Sequence, residues 1–202
     1  KFGINYLYQP YGIQQLGVFA PTIRSGLQEE FLAVVPKRFK YWDFQLNTAI
    51  GMVNFPDLIT EPRIDQELLL NTSLEQIRSS YRENHRRNVR KAASAADHFT
   101  EHVTPSEFVS LFEKTTGARF ANTDPRDMHV LHNLITEGIE RGEIAIIGLR
   151  KDGALHAAVS VIRWQGRVIW FKAAADEIGQ MLKAMFFLVD HVISQHAGKE
   201  QV

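Results

Sequence analysis

The chain has 202 residues, 45% of them hydrophobic, 10% aromatic and 23% charged, a globular composition that excludes a disordered, collagen-like or coiled-coil protein. Lys plus Arg and Asp plus Glu both number 23, so there is no global basic excess of the kind carried by a protein living on a nucleic-acid backbone. The absence of cysteine excludes a disulfide scaffold, a thiol nucleophile and a thiolate metal site.

In chain order, 2–8 reads as a strand, 29–39 as an amphipathic helix and 41–46 as a second strand. Residues 48–70 carry two further β-like runs, broken by Pro56 and Pro62. Ser73 followed by Gln76 is a capping-box start, and the pattern behind it predicts one helix to about Ala96. A short strand is expected at 99–103. Thr104-Pro105-Ser106-Glu107 then supplies an N-cap, a proline at the first helical position and an acid at the third. Phe108, Leu111 and Phe112 form the apolar stripe of that helix, which should end near Gly117. Asp124-Pro125-Arg126-Asp127 repeats the start signal, and Met128, Leu131, Leu134, Ile135 and Ile139 follow at helical spacing up to Gly142.

The continuous apolar run at 144–149 marks a strand buried on both faces. Asp152-Gly153 is a hairpin tip, 157–162 a second strand, Gln165-Gly166 another turn and 168–173 a third strand. After the polar break at Asp176-Glu177, Met181, Leu182, Met185, Phe186, Val189 and Ile193 give a last helix a wide apolar face, ended by Gly198. The order β-α-α-β-β-β-α implies an α+β protein, a sheet covered by helices. The densest apolar run, 185–189, is too short to span a bilayer. The chain opens at Lys1 directly in a strand-like pattern, so the natural N-terminus is expected to lie further upstream, and a signal peptide there stays open.

Two features could carry chemistry. Arg78, Arg82, Arg86 and Arg90 are spaced four apart, with Arg87 and Lys91 beside them and Glu83 as the one acid between Arg78 and Lys91. On a single helix such a ladder repels itself by roughly 0.2 to 0.5 kcal/mol per pair, so an anionic partner is expected: carboxylates elsewhere in the fold, or bound phosphate. The second feature is the turn Ala175-Asp176-Glu177-Ile178-Gly179-Gln180, a strand-to-helix junction whose glycine would leave backbone N–H groups for a pyrophosphate. The eight histidines form no metal pattern, and His129 with His132 sits among Met and Leu as a structural pair. Ser160 and Ser194 lack a nucleophile elbow, and there is no Walker loop or dinucleotide fingerprint.

The element order of the second half resembles the GNAT acyltransferase fold. The whole chain resembles the tandem form seen in Fem-type peptidoglycan aminoacyltransferases and related bacterial GNAT-like proteins. The resemblance rests on Tyr8-Gln9-Pro10, on Gln14-Gln15-Leu16-Gly17-Val18-Phe19, on Asn84-His85-Arg86-Arg87-Asn88-Val89-Arg90-Lys91-Ala92, and on 179–197, which is similar to the family's acyl-donor helix. It implies tandem GNAT-like units: 1–96 as the C-terminal part of a first, incomplete unit plus a connecting helix, and 97–202 as a second unit whose last strands lie beyond Lys199.

The implied reaction is N-acyl transfer in the cytoplasm, from a thioester, expected to be acyl-CoA, to a small or peptide-like amine, without a metal. Aminoacyl-tRNA as donor, or a GNAT-fold ligand-binding protein without catalysis, are the alternatives; overall neutrality speaks against a large RNA surface. The resemblance places donor binding at Phe171, Ala173, Ile178, Gly179, Gln180 and Lys183, with the family's phosphate signature reduced to Ile178-Gly179-Gln180. Glu177 and His156 are the candidate catalytic bases, and Gln14, Gln15 and Arg86 the candidate substrate-binding residues.

Overall fold

A computed structural model describes residues 3–47, 53, 55–95, 98–100, 102–119 and 124–199. They form two compact units, Lys1–Glu67 and Leu68–Val202.

In the first unit, strand β1 (Asn5–Tyr8), helix α1 (Leu27–Ala33) and strand β2 (Phe39–Asp43) form a strand-helix-strand element with parallel strands. The helix is shorter than 29–39 because Pro36 cannot continue it, and Val34 closes it. The loop between β1 and α1 is braced from within. Leu16 bridges Leu46, the Val18 N–H donates to the buried Gln28 side chain at 3.1 Å, and the Asn47 amide donates to the Val18 carbonyl at 3.0 Å. Among the described residues of 48–70, which are 53 and 55–70, there is no strand; residues 48–52 and 54, where most of the first expected β-like run falls, lie outside the described residues.

The second unit opens with α2 (Leu74–Ser79) and α3 (Glu83–Ala95), where a single helix was expected. Ser73 and Gln76 make the capping box at the start. The break follows because Ser79 and Ser80 donate their hydroxyls to the Gln76 and Ile77 carbonyls, both at 2.7 Å, competing with the ladder that would carry the helix onward. Then come β3 (His98–Thr100), α4 (Pro105–Lys114), a 3-10 turn (Gly117–Arg119), α5 (Pro125–Glu140), β4 (Ile144–Lys151), β5 (Ala154–Trp164), β6 (Arg167–Ala175), α6 (Glu177–Met181) and α7 (Ala184–His196). Both capping boxes read from sequence, Thr104 with Glu107 and Asp124 with Asp127, are present. Glu107 also meets Arg150 of β4 at 2.6 Å. The Thr104 N–H first, and Arg150 second, hold its carboxyl below the usual range.

The sheet is antiparallel throughout, in the order β3-β4-β5-β6. Both hairpin tips are two-residue turns with positive φ at each position, 49° and 78° at Asp152-Gly153 and 46° and 71° at Gln165-Gly166. Alternation sends Ile147, Leu149, Ala157, Val159 and Val161 to one face, where Ala184, Leu188 and Val192 of α7 cover them. α4 and α5 pack against the sheet and each other. Of the apolar positions expected to face the core from α5, Leu134 and Ile139 are exposed.

α7 is covered on a second side too. Ile193 packs with Leu70 and Ile77, and Arg78 grips the buried Asp190 with two bonds of 2.9 and 2.5 Å. This second contact ties α2 and α3 to the unit that starts at Leu68. By contacts the chain divides between Glu67 and Leu68, while the element pattern placed its division near residue 96.

The Tyr81 hydroxyl is buried there without a hydrogen-bond partner among the described residues. Burial first, and the Asp190 carboxylate second, push its ionisation up to about 12. A folded-state value above the ordinary 10 means a contribution fully present below pH 10 and lost as pH rises through about 12. Tyr81→Phe should leave stability at pH 7 nearly unchanged and flatten the decline between pH 10 and 12, as followed by denaturant melts across that range.

Candidate functional site

The site is built on β6, the edge strand of the sheet order, and on the turns that follow it. The β5–β6 register slips once: Ser160 faces Lys172 and Val161 faces Trp170, so Phe171 has no opposite residue. Such a bulge locally interrupts the ladder and re-aims the groups around it, and bulges recur beside active sites. Two side chains border it. The fully buried Ser160 donates to the Lys172 carbonyl at 3.3 Å, and Thr116, from the segment after α4, donates to the Ala173 carbonyl at 3.1 Å. Lys172 is half-buried, and that burial lowers the pKa of its ammonium group.

At the end of β6, Asp176 organises the turn. One carboxylate oxygen accepts the Gly179 N–H at 2.8 Å, capping α6, while the other lies 2.8 Å from His156 Nδ1. The Asp176 N–H also donates to the His156 carbonyl at 3.1 Å. Gly179 is glycine for a packing reason: a Cβ there would stand 2.2 Å from the His156 carbonyl oxygen. Its N–H, expected to be open to phosphate, is already taken by Asp176. Glu177 and Ile178 are exposed in the first turn of α6, and the Gln180 side chain donates to the Ala175 carbonyl at 3.3 Å.

The expected single helix then breaks. Lys183 adopts φ 60°, ψ 30°, a left-handed conformation that costs a residue with a side chain roughly 1 to 2 kcal/mol. α7 starts there with no side-chain cap on its first N–H groups. The left-handed residue and the start of α7 without a side-chain cap thus adjoin each other at this junction. Both Gly179 and Lys183 were expected to bind the donor; of the two, only the Gly179 N–H is already occupied, by Asp176.

The remaining expected site residues separate. From the Ala157–Ala175 pair to the Val161–Trp170 pair is four residues of strand, about 13 Å, so His156 is out of hydrogen-bond reach of a group at Phe171. Ala173 packs beneath α7. Arg86 is exposed on α3, and Gln14 and Gln15 lie in the loop of the first unit. Among the described residues, Arg78 alone of the ladder has the expected carboxylate partner, Asp190; Arg82 falls in the break and Arg86 and Arg90 lie on α3, so the four do not share one helix. A groove of about 690 Å³, lined by Val103, Ile139, Ile144, Ile146, Arg163 and Gln195 among others, includes no residue of β6. The bulge and Thr116 had no signal in the sequence, since both depend on register between separate elements.

An antiparallel sheet with a bulged edge strand leading into a helix, and helices packed against the sheet, make this an α+β domain. Residues 79–200 match the family described as acetyltransferase (GNAT) domain, more than half of the chain, and the protein belongs to that family. Membership supports an N-acyltransferase activity in general, with an amine as acceptor, in a family that is generally acyl-CoA dependent. No curated relative matches the chain. Among the described residues there is no group of three His, Asp or Glu placed to hold a metal, and no helix long and apolar enough to cross a membrane.

Proposed function

We propose that the protein is a cytoplasmic N-acyltransferase of tandem, Fem-related type, taking its acyl group from acyl-CoA. The observation that carries this reading is the bulged edge of β6 running into the strained start of α7. The thioester carbonyl is assigned to the Phe171 N–H, the extended arm of the donor to the β6 edge as far as Ala175, and the phosphates to Lys183 and the first N–H groups of α7. The amine attacks the carbonyl carbon; a C–N bond forms, the C–S bond breaks, and the proton lost by the amine is balanced by the one the departing thiolate takes up.

In this assignment Asp176 and His156 position the turn rather than move the proton, and Glu177 lies at the same end, away from the reacting carbon. Gln14 and Gln15 take no part in it.

Coenzyme A at 100 times its dissociation constant should stabilise the chain by about 2.7 kcal/mol, a rise of roughly 5 to 10 °C in melting temperature. Acetyl-CoA with a panel of primary amines should release free thiol. Lys183→Glu, placing a negative charge at the helix start, should weaken coenzyme A binding about tenfold and leave the melting temperature of the free protein within a few degrees. Neither shift nor thiol release would end the proposal. A shift without release would favour a donor-binding protein that has lost catalysis, a reading supported by the absence of any carboxylate or imidazole on β6.

A further inference from the structure

The sheet has a second open edge. β3 pairs with β4 only through His98–Thr100, opposite Arg150, Leu149 and Gly148, while β4 reaches back to Ile144. The direction of the backbone groups on the free stretch follows from the other side of the strand. The Arg163 N–H donates to the Glu143 carbonyl at 2.7 Å, so the odd-numbered residues of β4 turn their N–H and C=O groups to β5. Ile144 and Ile146 therefore aim theirs at the open side. Among the described residues neither has a hydrogen-bond partner there.

The groove of about 690 Å³ runs along this stretch. Its lining includes four consecutive residues, Ile144 to Ile147, whose side chains alternate between the two faces of the sheet. Ile147 belongs to the face under α7, and the Ile144 side chain lies against Gly138 of α5. A groove touched from both faces opens on the edge of the strand. Val103 and Ile139 give it apolar walls, and Arg163 stands at the Ile144 end. Arg163 is exposed and, among the described residues, forms no ion pair, while the carboxylate of Glu143 acts on Arg141. Burial first, and the charges of Arg163 and Lys199 second, hold His196 below its ordinary pKa, so positive charge gathers at this end of the groove.

We propose that the groove binds the carboxyl-terminal segment of a peptide as an added strand antiparallel to β4, with its α-carboxylate on Arg163. An exposed stretch of unpaired backbone is a template for such pairing. The free stretch of four residues is about 13 Å long. An antiparallel strand on it travels toward Ile144, so its last residue arrives beside Arg163, whose guanidinium can take a carboxylate with two bonds. The strand fills the free bonds of Ile144 and Ile146, and every second side chain lies on Val103 and Ile139. β5 separates this edge from β6, so the site stands apart from the acyl-CoA reading.

The test uses an array of hexapeptides with aliphatic residues at alternate positions, tethered by their amino ends; the tightest binder is titrated against the full chain by fluorescence anisotropy. The free acid should bind about tenfold more tightly than the same peptide with a carboxamide end. Arg163→Gln should bring the acid down to the affinity of the amide and leave the melting temperature within a few degrees. N-methylation of the peptide residues whose N–H groups meet Ile144 and Ile146 should abolish binding, and N-methylation of the residues between them should leave it nearly unchanged. Equal binding of acid and amide, equal effects of the two methylation sets, or no binding by any peptide of the array overturns the proposal. Self-association of the chain that Arg163→Gln abolishes and the peptides do not compete away would give the groove to a second copy, and overturns it too.

Discussion

Arg78→Met should lower the stability of the second unit by about 2 to 3 kcal/mol, and Asp190→Asn by about half as much. The asymmetry follows from burial. The Asp190 side chain is 6% exposed while that of Arg78 is 48% exposed. Removing the arginine leaves a carboxylate buried under α2 with the Tyr81 hydroxyl nearby and no cation. Removing the carboxylate charge leaves a guanidinium that water already reaches. Met keeps most of the packing of the arginine stem, so the difference reports charge rather than volume. In a chain of this size the first change corresponds to a drop of roughly 4 to 12 °C in melting temperature. Equal costs, or a larger cost for Asp190→Asn, would show that water reaches Asp190 and that the pair does not anchor α2 to α7.

How far the sequence disclosed the fold depended on whether a feature is local. The starts of α4 and α5 are written in four consecutive residues each, and the capping boxes at Thr104 and Asp124 form as read. The two hairpin tips are equally local, since Asp-Gly and Gln-Gly each accept the positive φ that a two-residue turn needs. The order of elements along the second half, and with it the resemblance to the GNAT fold, followed from those anchors.

Other features were hidden because competing interactions decide them. Residues 74–95 have helical periodicity throughout, and only the back-bonding of Ser79 and Ser80 splits them. At Lys183 the chain turns left-handed without the glycine that would announce it, because Ala184, Leu188 and Val192 must reach the sheet. The apolar face expected for one continuous helix therefore became two, with Met181 left 66% exposed. Residues 56–70 look strand-like by composition but lack a partner strand to pair with among the described residues.

The candidate site was legible as a list of residue types and illegible as an arrangement. His156 and Gly179 were both singled out, yet the residue joining them is Asp176, twenty positions from the histidine in sequence and 2.8 Å from it in space. The Phe171 bulge is a relation between two strands, and neither strand alone encodes it. The arginine ladder was visible by spacing, but which of its members finds a carboxylate depends on α7, more than a hundred residues further on.

Gly179→Ala should be among the most damaging single-methyl additions in the second unit. The added Cβ would meet the His156 carbonyl oxygen at 2.2 Å, its carbon at 3.0 Å and the Ala157 Cβ at 3.2 Å. The first two belong to the backbone of a strand bonded to both β4 and β6, so no side chain can swing aside. Relief requires α6 to move off the sheet. That would strain the Asp176 cap, whose carboxylate receives the Gly179 N–H and also contacts His156. Overpacking of this kind costs about 1 to 3 kcal/mol, and a backbone obstacle places Gly179→Ala at the upper end, a fall of roughly 6 to 12 °C. Donor affinity offers a second measurement. Because the Gly179 N–H is not available to phosphate, coenzyme A affinity measured well below the melting temperature should change less than in Lys183→Glu. A Gly179→Ala protein that melts like the wild type but fails to bind coenzyme A would return Gly179 to the phosphate site and displace Lys183 from it.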